Sequence, residues 1–203
     1  MPAPSLNNIQ LIAQADRKAA PGTMLDALHR RHTTREFSST PLSMRHLSQL
    51  LWAAYGINRP DGHRTVPAAM GIYALNIYVL LPEGIFLYVP QTEQLVKIVS
   101  GDYRGMSIKR DATRPAAADI AIYADYEAFR TGDAKVDRIM HGHEARMAAL
   151  DAGACTENMY LYCASEGINA VERLLFNDHL FRSVAGLQNG LQFQVAMSVG
   201  YPV

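Results

Sequence analysis

The chain of 203 residues carries a formal net charge of +0, with 49% hydrophobic and 19% charged residues. Neutrality argues against a nucleic-acid-binding protein, which usually presents a basic face, and the apolar content is too high for a disordered chain. No apolar run approaches the roughly 20 residues that span a membrane. Length and even composition predict one domain at residues 21–203, preceded by an extended N-terminal arm at residues 1–20.

Two helices are predicted early in the chain. Thr23 is the expected N-cap of the first, whose apolar face consists of Met24, Leu25 and Leu28. The second follows Ser43 and ends at Gly56. Its apolar residues recur at i, i+3, i+4 and i+7 as Leu47, Leu50, Leu51 and Ala54, which is helical spacing.

Strands and helices then mix without a regular βαβ rhythm. A Gly- and Pro-rich loop at 58–71 precedes a predicted hairpin of residues 75–81 and 85–89, with its turn at Pro82-Glu83-Gly84. Further strands are predicted at 94–100, 119–125 and 193–199, the second of them central. Residues 137–166 read as helical with a break around Ala152-Gly153, and Asp178 as the cap of a short helix ending at 185. The resulting fold class is α+β.

The two cysteines, Cys155 and Cys163, lie eight residues apart in the predicted long helix. They are on the same side of the helix but too far apart along its axis to form a disulfide. We interpret both as buried small hydrophobic residues in a reducing compartment. Because the chain starts without a charged segment followed by an apolar one, we expect no signal peptide and a cytoplasmic protein. A periplasmic location is the alternative if a signal peptide was removed.

His141 and His143 are the most tempting metal candidates. Residues two apart point to different sides of a helix, so the pair cannot bind one ion together. A solvated helix face is the preferred interpretation, and a wall of a substrate pocket is the alternative. We expect no metal site.

Positive charge is concentrated in the stretch HRRHTTREF, residues 29–37. A structural interpretation is that cations near a helix C-terminus complement its dipole. A functional one is a phosphate site, in which guanidinium groups form paired hydrogen bonds and threonine hydroxyls add neutral donors. Composition alone favours the structural interpretation, since most exposed charge runs are merely solvated.

The order of these residues changes that balance. The pattern Arg-x-Thr-x-Arg-x-Phe at residues 31–37, followed by a proline and a leucine-rich helix, resembles the opening of the nitroreductase superfamily. The stretch LLWAAYGINRPDGHRTVPAAM, residues 50–70, is similar to the SagB-type branch of those flavoproteins. The similarity resumes with YLYCASEGINAVER (residues 160–173) and SVGYP (residues 198–202), and so spans most of the chain.

This resemblance implies a nitroreductase-like fold, with an antiparallel-rich sheet flanked by helices. It also implies an intertwined homodimer that binds FMN non-covalently at its subunit interface. The positions that match the grip on the phosphate and ribityl chain are Arg31, His32, Thr33 and Arg35.

Two further cofactor-binding segments follow from the same resemblance. The loop that the other subunit lays against the flavin corresponds to Pro67, Ala68, Ala69 and Gly71. Glu172 and Arg173 match a segment whose main chain faces the isoalloxazine, where one N–H would donate to flavin N5. Relatives commonly have serines at positions 68 and 69 and glycine at position 174, so this chain lacks two hydroxyl donors and carries the bulkier Leu174.

The implied activity is an FMN-dependent NAD(P)H oxidoreductase. A hydride would pass from the nicotinamide to the flavin and then to a small oxidised acceptor such as a nitroaromatic or a quinone. Because the flavin carries the hydride, no catalytic side chain is assigned. A variant suggested by SagB-type relatives modifies a peptide-derived heterocycle. The alternative is a flavin-binding or flavin-sequestering protein with little turnover.

Overall fold

The computed structural model describes residues 20–106, 116–187 and 189–203. In these ranges the chain forms five α-helices and six β-strands, which confirms the α+β prediction. The helices are α1 (Met24–Arg30), α2 (Met44–Tyr55), α3 (Ala134–Met140), α4 (Glu144–Glu166) and α5 (Asp178–Ala185). The strands are β1 (Leu75–Leu81), β2 (Gly84–Val89), β3 (Gln94–Ser100), β4 (Ala118–Asp125), β5 (Asn169–Arg173) and β6 (Leu191–Gly200). Apart from Ala20, the predicted N-terminal arm lies outside the described residues.

The strands form one antiparallel sheet in the order β3-β2-β1-β4-β6-β5. Every β4 residue from Ala118 to Ala124 is buried, which confirms the predicted central position. β1 and β2 form the predicted hairpin, in which Leu81 pairs with Gly84. Gly84 is required there because its φ is +152° and an added Cβ would lie 2.2 Å from the carbonyl oxygen of Val99.

Side-chain alternation along β4 gives the sheet two buried faces. Ile120 and Ile122 pack with α2 and α4, where Leu50 and Met159 are fully buried. On the opposite face Tyr123 stacks on Phe181 of α5, with ring centroids 5.2 Å apart. α4 therefore packs across one face of the sheet. After α4 the chain turns at Gly167, which has φ +68°, and enters β5 at the sheet edge.

Most predicted helix boundaries are confirmed. Thr23 caps α1 by accepting the Asp26 N–H at 3.2 Å, and Ser43 caps α2 by accepting the His46 N–H at 3.1 Å. The cap of α5 is Asn177 and not Asp178, because its side chain accepts the Leu180 N–H at 3.1 Å.

The predicted helix break at Ala152-Gly153 is wrong. α4 runs through both residues, and the helices instead separate at His141-Gly142-His143, where Gly142 has φ +79°. A glycine inside a long helix costs only about 1 kcal/mol, and burial of the neighbouring Ala152 and Cys155 offsets that cost. The two histidines are thus exposed in a turn, not on a helix face.

Several apolar residues are more exposed than predicted. Of α1 only Ala27 is buried, and its predicted apolar face is open to solvent. Trp52 of α2 is also on the surface, with 43% of its area exposed. Within the described ranges, no helix combines the length and apolarity needed to cross a bilayer.

Candidate functional site

The segment with the Arg-x-Thr-x-Arg-x-Phe pattern lies in extended conformation beside β5. Thr34 fixes it, since its N–H donates to the Ala170 carbonyl at 2.9 Å and its hydroxyl accepts the Ala170 N–H at 3.1 Å. Asn169 donates from Nδ2 to the Glu36 carbonyl at 2.7 Å, and buried Phe37 packs with Val171. The structure therefore brings the cationic stretch against the strand that contains Glu172 and Arg173.

One buried tyrosine, Tyr160, connects the cationic stretch with β5. Tyr160 of α4 accepts the Glu172 N–H on its hydroxyl at 2.7 Å, and that oxygen lies 3.3 Å from the Thr33 hydroxyl. The Arg31 guanidinium lies over the Tyr160 ring, 5.4 Å from its centroid. Among the described residues no carboxylate pairs with Arg31. We call Arg31, Thr33, Tyr160 and Glu172 the Tyr160 cluster.

The side chains of Glu172 and Arg173 point to opposite faces of the sheet. Glu172 accepts the Thr156 hydroxyl of α4 on Oε1 at 3.1 Å. On the other face Arg173 donates from Nε to the Ser198 hydroxyl at 3.0 Å, and Ser198 donates to Asp119 at 2.6 Å. Ser198 and Asp119 are buried, so this chain of hydrogen bonds holds the end of β5 in place.

The other cationic residues of the segment are placed differently. His32 is exposed, donates from Nδ1 to the Arg30 carbonyl at 2.6 Å, and lines a cavity of about 470 Å³ beside Thr34 and Gly167. Arg35 is also exposed. Neither side chain belongs to the Tyr160 cluster, although both lie on the same extended segment.

The predicted flavin loop forms a separate short turn. A 3-10 turn spans Ala69–Gly71, and its main-chain hydrogen bonds are local: Gly71 donates to Ala68 at 3.1 Å and Ile72 to Ala69 at 3.0 Å. Pro67 is exposed. Pro67, Ala68, Ala69 and Gly71 are not part of the Tyr160 cluster of their own chain.

Sequence reasoning assigned Tyr160 no role. The available signal was spacing: Thr156 and Tyr160 are four residues apart on α4, so they face the same way, and both bond to Glu172. In a sequence, an apolar ring at helical spacing looks like core, and only the structure shows what the hydroxyl touches.

Two ionisable groups, the partly buried Arg64 beside α2 and the buried Asp151 of α4, were also not predicted. Arg64 lies between the rings of Tyr55 and Tyr73, 3.9 and 4.9 Å from their centroids. Its Nε has no hydrogen-bond partner among the described residues. Asp151 is 7% exposed, and burial raises its pKa from 3.8 to about 6.

Both cysteines are buried, as predicted. Burial raises the pKa of Cys155 far above its ordinary value and that of Cys163 to about 12, so neither thiol is a ready nucleophile. His63 pairs with Asp61 at 2.9 Å in an exposed turn. No group of three metal-ligating side chains occurs in the described part of the chain.

A sequence model of the nitroreductase family matches residues 28–201. The chain belongs to the nitroreductase family. An inferred nitroreductase of Methanocaldococcus jannaschii is 30% identical over 169 residues, which cover 78% of this chain and 82% of that protein. Family membership thus rests on sequence that includes the Arg31–Phe37 segment and β5.

Solved structures of other nitroreductase-like proteins share the fold. The structure of an inferred nitroreductase from Ralstonia eutropha has a TM-score of 0.80 at 29% identity, covering 95% of this chain and 92% of that one. An inferred nitroreductase from Desulfovibrio desulfuricans, solved with FMN, has a TM-score of 0.61 at 18% identity and covers 89% of this chain and 86% of that one. These matches confirm the predicted nitroreductase fold.

Proposed function

We propose that this nitroreductase-family chain is an FMN-dependent NAD(P)H oxidoreductase that reduces a small oxidised acceptor such as a nitroaromatic or a quinone. The observation that carries the proposal is the Tyr160 cluster. It joins Arg31 and Thr33, which match the family's phosphate grip, to the main chain of Glu172, which matches its flavin-facing strand. The FMN bound by the Desulfovibrio desulfuricans protein supports the choice of cofactor.

The donor set fits a phosphate group. Arg31 is a guanidinium without a carboxylate partner among the described residues, and it contacts the same tyrosine, Tyr160, as the hydroxyl of the exposed Thr33. Guanidinium and hydroxyl donors of this kind bind phosphate oxygens through charge-assisted hydrogen bonds. His32 and Arg35, exposed on the same segment, would supply the remaining contacts to the phosphate and ribityl chain.

FMN, when bound, supplies the hydride-transfer chemistry. The chain's own contribution is position. Arg31 and Thr33 would hold the phosphate, and β5 would present main chain to the ring. The Glu172 N–H is donated to Tyr160, so in this structure it is not the free donor to flavin N5 that the resemblance implies for this segment. The Tyr160 O–H is left for Thr33 or for the cofactor. Arg173, held by Ser198, fixes the end of β5.

We further propose that the active form is an intertwined homodimer. In this arrangement Pro67, Ala68, Ala69 and Gly71 of one subunit would lie against the flavin gripped by the other. The exposed apolar side chains of Met24, Leu28 and Trp52 support it, since a second subunit would remove them from water. Sedimentation equilibrium should give twice the chain mass, and a monomer at micromolar concentration would contradict the dimer.

The substrate variant, the alternative function and the location are proposed from the sequence. The similarity to the SagB-type branch favours, as a variant, action on a peptide-derived heterocycle. The alternative function, flavin binding with little turnover, is favoured by the missing hydroxyls at Ala68 and Ala69 and by Leu174, whose side chain is 74% exposed after β5. The cytoplasmic location also remains a prediction.

Steady-state oxidation of NADH and NADPH separates the two functions. FMN-loaded protein is mixed with each nucleotide, with and without menadione or nitrofurazone, and free FMN at the same concentration is the control. The proposal predicts acceptor-dependent oxidation well above that control. Flavin that stays bound without turnover would support the binding function, and a chain that neither binds FMN nor turns over contradicts both.

A further inference from the structure

We propose that Tyr160 is a positioning residue for the flavin site: its hydroxyl fixes the phosphate-binding segment and the flavin-facing strand at a set distance from each other. This inference rests on the proposed function, since it assigns those two roles to the Arg31–Arg35 segment and to Glu172. It adds a residue to which sequence reasoning assigned no role.

The contacts of the hydroxyl are specific. Glu172 donates its N–H to this oxygen at 2.7 Å, and Thr33 of the phosphate-binding segment approaches the same oxygen at 3.3 Å. Residues 33 and 172 are far apart in sequence, yet one oxygen touches both. The hydroxyl can accept from Glu172 and still donate to Thr33, so both contacts coexist.

The Glu172 amide has no other partner available in the sheet. In β5 the N–H and carbonyl of Ala170 point away from β6 towards Thr34, and Glu172, two residues further on, points the same way. Replacing Tyr160 with phenylalanine would fill the same space but leave this N–H without its acceptor. The hydroxyl, and not the ring, therefore holds the Glu172 main chain.

The fixed spacing of the two segments has its largest effect on the affinity of a ligand that contacts both of them. FMN would reach the phosphate-binding segment with its phosphate and β5 with its ring. When the spacing of the two segments is fixed beforehand, such a ligand loses less freedom on binding. Riboflavin has the ring and the ribityl chain but no phosphate, so it lacks the charged contact with the phosphate-binding segment and its affinity should depend little on that spacing.

The test compares Tyr160→Phe with Tyr162→Phe. Tyr162 is on the same helix and its hydroxyl donates to Gln49 at 2.9 Å on the surface, so it is a matched control for loss of one tyrosine hydrogen bond. Affinities for FMN and riboflavin are measured by quenching of flavin fluorescence. We expect Tyr160→Phe to weaken FMN binding by about 3- to 10-fold, the effect of one net hydrogen bond. Riboflavin should change by less than about twofold, as should both ligands with the control.

The opposite results overturn the inference. An equal loss for FMN and riboflavin would show that Tyr160 only supports the fold. An unchanged FMN affinity, or an equal loss in Tyr162→Phe, would show that its hydroxyl has no special role in spacing.

A second measurement does not depend on flavin. Hydrogen exchange at the Glu172 amide in the wild-type protein should be as slow as at β5 amides paired with β6, and fast in Tyr160→Phe. Fast exchange in the wild type overturns the contact itself. If the wild-type chain binds neither flavin, the proposed function fails, and the exchange experiment still decides whether Tyr160 holds the Glu172 main chain.

Discussion

Replacing Arg31 with alanine tests the phosphate grip directly. Its guanidinium lies over the Tyr160 ring, 5.4 Å from the centroid, and no described carboxylate neutralises it. A hydrogen bond to a charged group contributes about 1.5–3 kcal/mol. We therefore expect Arg31→Ala to weaken FMN binding by about 10- to 150-fold.

The assay is a titration of FMN and of riboflavin followed by fluorescence quenching. Riboflavin lacks the phosphate, so its affinity should stay within about twofold of wild type. The adjacent Arg30 provides a matched control, because it belongs to the same cationic run but pairs with Asp26 at 2.8 Å on α1. Arg30→Ala should also leave FMN affinity within about twofold.

Two outcomes would refute this reasoning. If Arg30→Ala weakened FMN binding as much as Arg31→Ala, the run would act through general attraction and not through a specific contact. If riboflavin lost affinity in parallel with FMN, Arg31 would support the fold of the site and not the phosphate.

Two further predictions concern stability. Because burial raises the Asp151 pKa from 3.8 to about 6, the unfolded chain ionises first as pH rises, and the wild type loses stability between those values. Urea unfolding should show Asp151→Asn gaining about 1–2 kcal/mol over wild type between pH 4 and pH 7; a difference independent of pH would contradict this. Gly84→Ala should destabilise by at least about 2 kcal/mol, through positive φ and the clash with the Val99 carbonyl. The control Gly153→Ala, in open space on α4, should stabilise by about 0.5–1 kcal/mol; equal effects of the two glycine changes would contradict the backbone argument.

Local signals explain why much of the fold was predictable. The spacing of Leu47, Leu50 and Leu51 follows the helix period, and all three are buried in α2. Apolar β-rich runs predicted the hairpin and the central strand. Local signals fail where tertiary packing decides: α4 continues through Gly153 because its neighbours are buried, and the chain turns at Gly142 instead.

The candidate site could not be predicted from local signals. Nothing local relates Arg31 to Glu172, and only the resemblance to nitroreductases predicted that both serve one cofactor. The structure shows their segments side by side, linked through Thr34 and Ala170. Tyr160 escaped prediction because its role depends on where the fold places one hydroxyl oxygen.

FMN binding to this chain is the claim on which the proposed function and the role of Tyr160 both depend. Calorimetric titration of the wild-type protein with FMN tests it most directly. We expect saturable heat with one FMN per subunit, and for Arg31→Ala an isotherm shifted to the about 10- to 150-fold higher Kd expected above. Absence of heat from the wild type up to millimolar FMN would contradict the claim.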